Sequence, residues 1–223
     1  MEPFELTLNP ILDDIERIIV REAGSIVHYA RGEVIFAAGD IPDRIYLIER
    51  GWTKTYRLST DGKKVTVGSI RCPGHLMGLA ETLLEVERTC FAGAVSNVSM
   101  SVLTKRQFED LLSRHPVLGI KINKLLGSRM REAEGLIHEM VCWQAPGRLA
   151  RTLMKMGSQI GRKGTNGIIL DIELTHEEIA SMVGVSRQTV TSLLNTFKKE
   201  QSIAYEGRSI RIVNPDKLNK WVV

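Results

Sequence analysis

Thr175-His176-Glu177-Glu178-Ile179-Ala180-Ser181-Met182-Val183-Gly184-Val185-Ser186-Arg187-Gln188-Thr189-Val190 decides how this chain is read. Thr175 followed three residues later by Glu178 fits a capping box, in which side chain and backbone satisfy each other at a helix start. The spacing predicts a helix from Glu177 to Met182. Gly184 breaks it, because glycine accepts the positive φ of a turn. Ser186 can cap a second helix, Arg187 to about Glu200. Its apolar residues Val190, Leu193, Leu194 and Phe197 fall at i, i+3, i+4 and i+7, one buried face. Two helices joined by a glycine-containing turn of three or four residues make a helix-turn-helix.

The other face of the second helix carries Arg187, Gln188, Thr191, Ser192 and Asn195. Arginine can donate two bonds to guanine and glutamine can pair with adenine. In a helix-turn-helix the first residues of the second helix meet the bases, which singles out Arg187 and Gln188. Ser202 to Val213 reads as two short strands around Glu206-Gly207-Arg208, a wing that brings Arg208 and Arg211 to a DNA backbone. Helix-turn-helix shapes also occur in proteins that bind no DNA. Charge separates the two readings. The net charge is +4, but residues 1–143 carry 18 basic and 19 acidic side chains, while residues 144–223 carry 12 and 7. The whole positive excess lies around this motif, where an anionic partner would want it.

Pro146-Gly147 marks a joint, followed by a helix from about Gly147 to Gln159, a loop Gly161–Gly167, and a strand-like alternation from Ile168 to Leu174. Upstream, after Pro116, Ile122, Leu126, Arg129, Ala133, Leu136, Met140 and Trp143 are spaced 4-3-4-3-4-3. That is a seven-residue seam of the kind that pairs one helix with another. A helix of about 26 residues spans roughly 39 Å, more than a small domain covers alone, so the seam predicts a homodimer. The competing reading is a core helix of the same chain. Arg129 is the anomaly: a charge in a seam costs desolvation unless an anion meets it or it snorkels to the edge.

Residues 26 to about 104 read as strands and tight turns. Val34-Ile35-Phe36 and Ile45-Tyr46-Leu47-Ile48 are bounded by Arg31-Gly32-Glu33, Gly39-Asp40, Arg50-Gly51, Thr60-Asp61-Gly62 and Pro73-Gly74. Such punctuation predicts an antiparallel sandwich or barrel. Thr60-Asp61-Gly62-Lys63 predicts a hairpin with a mirror-image two-residue turn. A helix from Asn9 to about Glu22 precedes it. The expected class is therefore α+β, divided into a sensing domain at residues 1–116, a dimerisation helix at 117–143 and a winged helix-turn-helix at 144–223.

Cys72, Cys90 and Cys142 form no CxxC pair, which argues against disulfide scaffolds, zinc ribbons and cysteine-ligated clusters. No run of about 18 apolar residues exists, so no membrane helix is expected. Met1-Glu2-Pro3-Phe4-Glu5 has acids where a signal peptide has bases. A reduced, cytoplasmic protein is the expectation. The five histidines, at 28, 75, 115, 138 and 176, are dispersed. Neither a paired-histidine metal site nor a nucleophile–base set is legible, so neither an enzyme nor a bound metal is expected.

This order of parts resembles the cyclic-AMP receptor/fumarate-nitrate regulator (CRP/FNR) superfamily of bacterial transcription factors, over nearly the whole chain. The matching residues are Gly32-Glu33-Val34-Ile35-Phe36 with Gly39-Asp40, then Gly51, then Pro73-Gly74-His75 where the family has Gly-Asp, and the joint Gly147-Arg148. Glu178-Ile179-Ala180 with Gly184 through Val190 is the most specific match. The resemblance implies a cupin-like jelly roll (the cyclic-nucleotide-binding type), a long dimerisation helix and a winged helix-turn-helix. It implies that Arg187 reads guanine in each half of a palindrome, that Gln188 stands where glutamate is common, and that Thr175, Ser186 and Thr189 contact phosphate. Double-stranded DNA, RNA polymerase, a second copy and a small-molecule effector are the implied partners. The basic Arg162-Lys163 stretch is the surface offered to the polymerase.

The effector segment departs from the cyclic-nucleotide branch. Arg88-Thr89 stands at the arginine–serine place, but Gly78-Leu79-Ala80-Glu81 lacks the adjacent Gly-Glu. Ala133-Glu134 replaces the adenine-contacting hydroxyl pair. Cyclic AMP is disfavoured, because a purine edge would meet unmatched groups. Arg88, Arg129 and Glu134 are similar to the set of the nitrogen-control branch, which senses 2-oxoglutarate, and two guanidiniums can clamp a dicarboxylate. Heme-dependent gas or redox sensing is a third reading, with His28, His75, His138, Cys72, Cys90 and methionines as candidate ligands at no demanding spacing. A ligand-binding module acting on a protein partner is the rival function; the polar face of Arg187, Gln188 and Ser192 opposes it.

Overall fold

A computed structural model describes residues 12–222. The chain divides into two compact units, residues 12–58 with 66–133, and residues 59–65 with 134–222.

The first unit is a two-sheet β fold with helices at its ends. Helix α1 (Asp14–Ala23) begins at Asp13, whose carboxylate accepts from the Glu16 amide at 3.0 Å while Glu16 accepts from Asp13 N. This box sets the start of α1 at Asp14; residues 9–11 of the helix expected from Asn9 lie outside the described residues. Strands β1 (Ser25–Tyr29), β2 (Val34–Phe36), β3 (Arg44–Arg50), β4 (Thr53–Leu58), β5 (Lys64–Thr66) and β6 (Leu76–Met77) follow. After helix α2 (Leu79–Leu84) come β7 (Phe91–Ala94) and β8 (Val98–Thr104), then helices α3 (Lys105–Arg114) and α4 (Pro116–Cys142). One sheet has the order β1-β8-β3-β6 and the other β2-β7-β4-β5, with antiparallel pairing.

Strand β3 shows how the sequence builds this layering. Ile45 and Leu47 face a core shared with α1, α2, α3 and α4. Tyr46 and Ile48 face a second core between the sheets, with Phe36, Ala92, Val98 and Met100. Successive strand residues point to opposite faces, so a strand covered on both sides reads as an unbroken apolar run.

Two local expectations are corrected. The Thr60-Asp61-Gly62 turn is a three-residue loop, not a two-residue one. Gly62 N donates to Ser59 O and Ser59 N to Lys63 O, both at 2.9 Å. Gly62 has φ +77° and Asp61 does not share its positive φ, whereas the mirror-image turn needs both. Within residues 26–104 the structure also places a helix, α2, where strands alone were expected. Gly78 precedes it with φ +75°, and a Cβ there would lie 2.9 Å from Arg88 Nη1.

The seam on α4 is corrected in part. Ile122 is buried and Leu126 is packed in the core of the first unit. Arg129 turns into the same unit, its Nη2 donating to the Leu76 carbonyl. A 4-3 repeat serves intrachain packing as well as a partner helix, and Leu118, Ile122, Leu125, Arg129 and Glu132 form the inward face. Ala133 and Met140 are exposed and Leu136 half-buried. Ile120, Met130, Ile137 and Val141 are 57–80% exposed and fall on the side of the helix opposite the buried face at 100° per residue.

The second unit contains α5 (Ala145–Ile160), β9 (Gly161–Gly164), β10 (Gly167–Leu170), α6 (His176–Val183), α7 (Arg187–Lys199), β11 (Ile203–Glu206), β12 (Ser209–Ile212) and α8 (Pro215–Asn219). The sheet order is β11-β12-β10-β9. The stretch expected as a basic loop is mostly strand: Arg162 and Lys163 sit exposed on β9, paired with Ile169 and Ile168. The strand expected to reach Leu174 ends at Leu170. Leu149, Leu153, Val190, Leu194 and Phe197 are buried at its core. The joint has a steric reason: a Cβ on Gly147 would lie 2.6 Å from the Trp221 carbonyl. Arg148 donates to the Trp143 carbonyl at 2.8 Å and to Val183 at 3.1 Å, capping the ends of two helices.

Candidate nucleic-acid interface and sensor cluster

The helix-turn-helix forms as its local chemistry dictates. Glu178 N donates to Thr175 Oγ1 at 3.1 Å and Thr175 N to Glu178 Oε2 at 2.8 Å. Gly184, at φ +73°, ends α6 with its amide on the Ala180 carbonyl at 2.9 Å. Ser186 Oγ accepts from the Thr189 amide at 3.1 Å and starts α7. Val190, Leu194 and Phe197 anchor the buried face and Leu193 is half-buried.

Ser186, Arg187, Gln188, Thr191, Ser192 and Asn195 line one open hollow on α7. Arg187, Gln188 and Ser192 are exposed at it. Three of the expected contact hydroxyls are already engaged: Thr189 Oγ1 lies 2.8 Å from Ser186 Oγ, and Thr191 Oγ1 donates to Arg187 O at 3.0 Å and lies 2.8 Å from His176 Nδ1. Thr175 is exposed, but its hydroxyl lies 2.9 Å from Glu178 Oε2. On the wing, Gly207 (φ +61°) and Arg208 form a two-residue turn between Glu206 and Ser209. Arg208 is 86% exposed, with Glu173 at 3.9 Å. Arg211 pairs with Glu206 at 3.4 Å, so it is held on the wing rather than extended from it.

The expected effector residues do not converge as a pair of open guanidiniums. Arg88 is 3% exposed. It donates to Gly78 O at 2.8 Å and Arg44 O at 2.5 Å, faces Glu81 at 3.7 Å and stacks over Phe36. Thr89 donates to Glu81 at 3.1 Å. Leu79 is a core residue, and Ala80, Ala133 and Glu134 are exposed. Glu134 points away from the inward face that carries Arg129.

The structure instead gathers a cluster that sequence reasoning missed. Glu132, 5% exposed, accepts from Ser69 Oγ, and Arg71 Nη1 approaches its Oε2 at 3.4 Å. Burial, then the nearby Arg71, pushes the Arg129 guanidinium down to about 9, with Glu132 and Glu81 opposing. Among the described residues Arg129 Nε is buried with no hydrogen-bond partner. His75 lies in the same field, and burial followed by Arg71 and Arg129 pushes it down to about 3, so it is neutral. The Cys72 amide donates to His75 Nδ1 at 3.4 Å, and burial raises the Cys72 thiol. The one available signal was Glu132's place three residues after Arg129, on the same helix face. Among the described residues no three His, Cys, Asp or Glu side chains gather as a metal site. No described helix is long and apolar enough to cross a membrane.

Two family models match the chain: a Crp-like helix-turn-helix domain over residues 147–221 and a cyclic nucleotide-binding domain over residues 26–115. A CRP-like cAMP-activated global transcriptional regulator of Mycobacterium tuberculosis is 27% identical over 86% of this chain and 85% of its own. A global nitrogen regulator of Synechococcus elongatus is 28% identical over 90% and 93%. Among solved structures, a CooA mutant from Carboxydothermus hydrogenoformans superposes with a TM-score of 0.77 at 23% identity, covering 95% of this chain and 93% of that one. A CRP-family transcriptional regulator from Thermus thermophilus gives 0.74 at 23%, covering 88% and 96%. Those superpositions speak for the fold alone. The two models lie in order along the chain, on either side of the long helix, and with these relatives they make this chain a member of the CRP/FNR superfamily of DNA-binding transcription regulators.

Proposed function

We propose that the protein is an effector-responsive transcription regulator that binds a palindromic DNA site as a homodimer, and that it is not an enzyme. Residues 1–116 are taken as the sensor, 117–143 as the dimerisation helix and 144–223 as the DNA-binding domain. The observation that carries this reading is the pair Arg187 and Gln188, exposed at the start of a capped α7 beside a basic wing. Arg187 is assigned to guanine and Gln188 to the neighbouring base. Ser186, Thr189, Thr175 and Arg208 are assigned to phosphates, with Ser192 and Thr191 on the same surface.

Dimerisation is assigned to the exposed side of α4. Ile120, Met130, Ile137 and Val141 offer an apolar stripe that a second copy would cover, and Ala133, Leu136 and Met140 continue the contact nearer the inward side of the helix. This moves Ile122, Leu126 and Arg129 from the interface into the sensor. The effector site is assigned to the cluster around Arg129, between α4 and the Gly78–Thr89 segment, with a small carboxylate anion such as 2-oxoglutarate as the ligand class. The Nε of Arg129, buried and unpartnered among the described residues, supports an anion, and the choice of 2-oxoglutarate rests on the likeness of Arg88, Arg129 and Glu134 to the nitrogen-control set. The unmatched Ala133-Glu134 pair speaks against cyclic AMP, and among the described residues no heme ligand pair stands out beyond the buried Cys72 and His75. By relation to the family, RNA polymerase is the protein partner, Arg162 and Lys163 its contact, and the cytoplasm the working compartment.

An anisotropy titration of labelled DNA carrying a selected site tests the reading. The affinity should fall with a steep negative log–log dependence on salt, as phosphate contacts release counterions. Equal affinity for selected and random DNA at every salt concentration contradicts it.

A further inference from the structure

We propose that Ser69 and Arg71 form a carboxylate site which the protein fills with its own Glu132, and that a dicarboxylate effector acts by replacing Glu132 there while its second carboxylate pairs with Arg129. The inference rests on the effector reading above and names the regulation of that site.

Three observations carry it. First, the Glu132 carboxylate sits 5% exposed on Ser69 Oγ and Arg71 Nη1, although α4 leaves Arg131, Ala133 and Glu134 on either side of it exposed. The Ser69 and Arg71 side chains recognise a carboxylate, and the helix supplies one. Second, Arg129 Nε is buried and unpartnered among the described residues, its Nη2 spent on a backbone carbonyl. Third, the withdrawn charges do not balance. Among the described residues Arg71, Arg88 and Arg129 face only Glu81 and Glu132 as anions, and the neutral His75 adds no charge of either sign. One positive charge is left without a counterion, and a buried guanidinium needs one.

A monocarboxylate answers that excess at Arg129 alone and leaves Glu132 in place. A dicarboxylate can also engage Arg71 and Ser69. Glu132 must then leave, and because it belongs to α4 its release changes what holds that helix to the sensor. A ligand that prefers the released arrangement shifts the population toward it. Glu132 is thus a built-in competitor that sets the effector concentration at which the switch responds.

The experiment is isothermal titration of the full-length protein with 2-oxoglutarate, glutarate, butyrate and inorganic phosphate. Glu132→Gln keeps the shape and removes the competing charge. It should bind both dicarboxylates about tenfold or more tighter than wild type, an opposite charge at this range being worth about one to three decades. Butyrate affinity should change far less. Arg71→Gln in the Glu132→Gln background should erase the preference for two carboxylates. Glu132→Ala, which removes the competing carboxylate altogether and leaves Ser69 and Arg71 in place, should tighten dicarboxylate binding in the same direction and stands in if Glu132→Gln does not fold. Dicarboxylate binding that is equal or weaker in Glu132→Gln and Glu132→Ala overturns the displacement while leaving the anion site standing. Binding of phosphate alone overturns the carboxylate class. Failure of every ligand in every variant overturns the effector reading itself.

Discussion

His176 Nδ1 stands 2.8 Å from the Thr191 hydroxyl, a contact that ties the first helix of the helix-turn-helix to the recognition helix. Thr191 donates its proton to the Arg187 carbonyl at 3.0 Å. The imidazole must therefore be the donor in the first contact, with its proton on Nδ1. His176→Ala and Thr191→Val should each destabilise the second unit by about 1 kcal/mol. A double-mutant cycle in urea should return a coupling of about 0.5–1.5 kcal/mol; additive losses would show that the contact does not form.

Among the described residues Arg187 makes no hydrogen bond or ion pair through its guanidinium, and it is exposed. Arg187→Ala should therefore leave the unfolding curve within about 0.5 kcal/mol of wild type. It should cost about 1–3 kcal/mol on a specific site and relax base choice at one position per half-site. Footprints on mutated sites read both effects.

Gly147 should resist substitution. Its missing Cβ would meet the Trp221 carbonyl, a backbone atom, at 2.6 Å, and overpacking of this kind costs about 1–3 kcal/mol. Gly147→Ala should lower the urea midpoint of the second unit, while Gly62→Ala, which meets no neighbouring atom, acts only through its positive φ.

His75 makes the sensor sensitive to acid. Its folded pKa is about 3 against 6.5 for the free side chain. The unfolded chain then binds more protons between those limits, so stability rises with pH there. The contribution is full above about pH 6.5 and is lost toward pH 3, at about 1.4 kcal/mol per pH unit. Urea midpoints of the first unit should fall between pH 6.5 and 4.5. Replacing His75 by Phe should flatten that slope; an unchanged slope would assign the effect to other groups.

The exposed stripe on α4 should pair two copies. Ile137→Glu places a charge among Met130, Met140 and Val141, all more than half exposed in the single chain. Sedimentation velocity should show a monomer, with unchanged far-ultraviolet dichroism. An unaltered dimer would move the interface elsewhere.

The reading unit of this protein was legible before its structure because its signals are local. Thr175, Glu178, Gly184 and Ser186 each act within four residues, and each forms the predicted bond or turn. The layered sheets were legible from turn punctuation, and the unbroken run in β3 now has its reason in two cores. What stayed hidden depends on long-range contacts. The same 4-3 spacing describes the inward face of α4 and an intermolecular seam, and only the packing of Ile122 and Leu125 separates them. Arg71 and Ser69 lie more than 60 residues from Glu132, beyond any periodicity. Helix α2 escaped because Gly78 and the αL residue Glu85 frame only six residues, less than two turns of pattern.

The most direct measurement is selection of bound duplexes from a random pool, followed by footprinting. Two copies of α7 reading one face of DNA require half-sites about 34 Å apart, one helical turn. The predicted result is a palindrome with guanine at a fixed place in each half, centres about 10 base pairs apart, and loss of that guanine preference in Arg187→Ala. An enriched site without two-fold symmetry, or a palindrome whose guanines stay protected in Arg187→Ala, would contradict a dimer that reads DNA through Arg187.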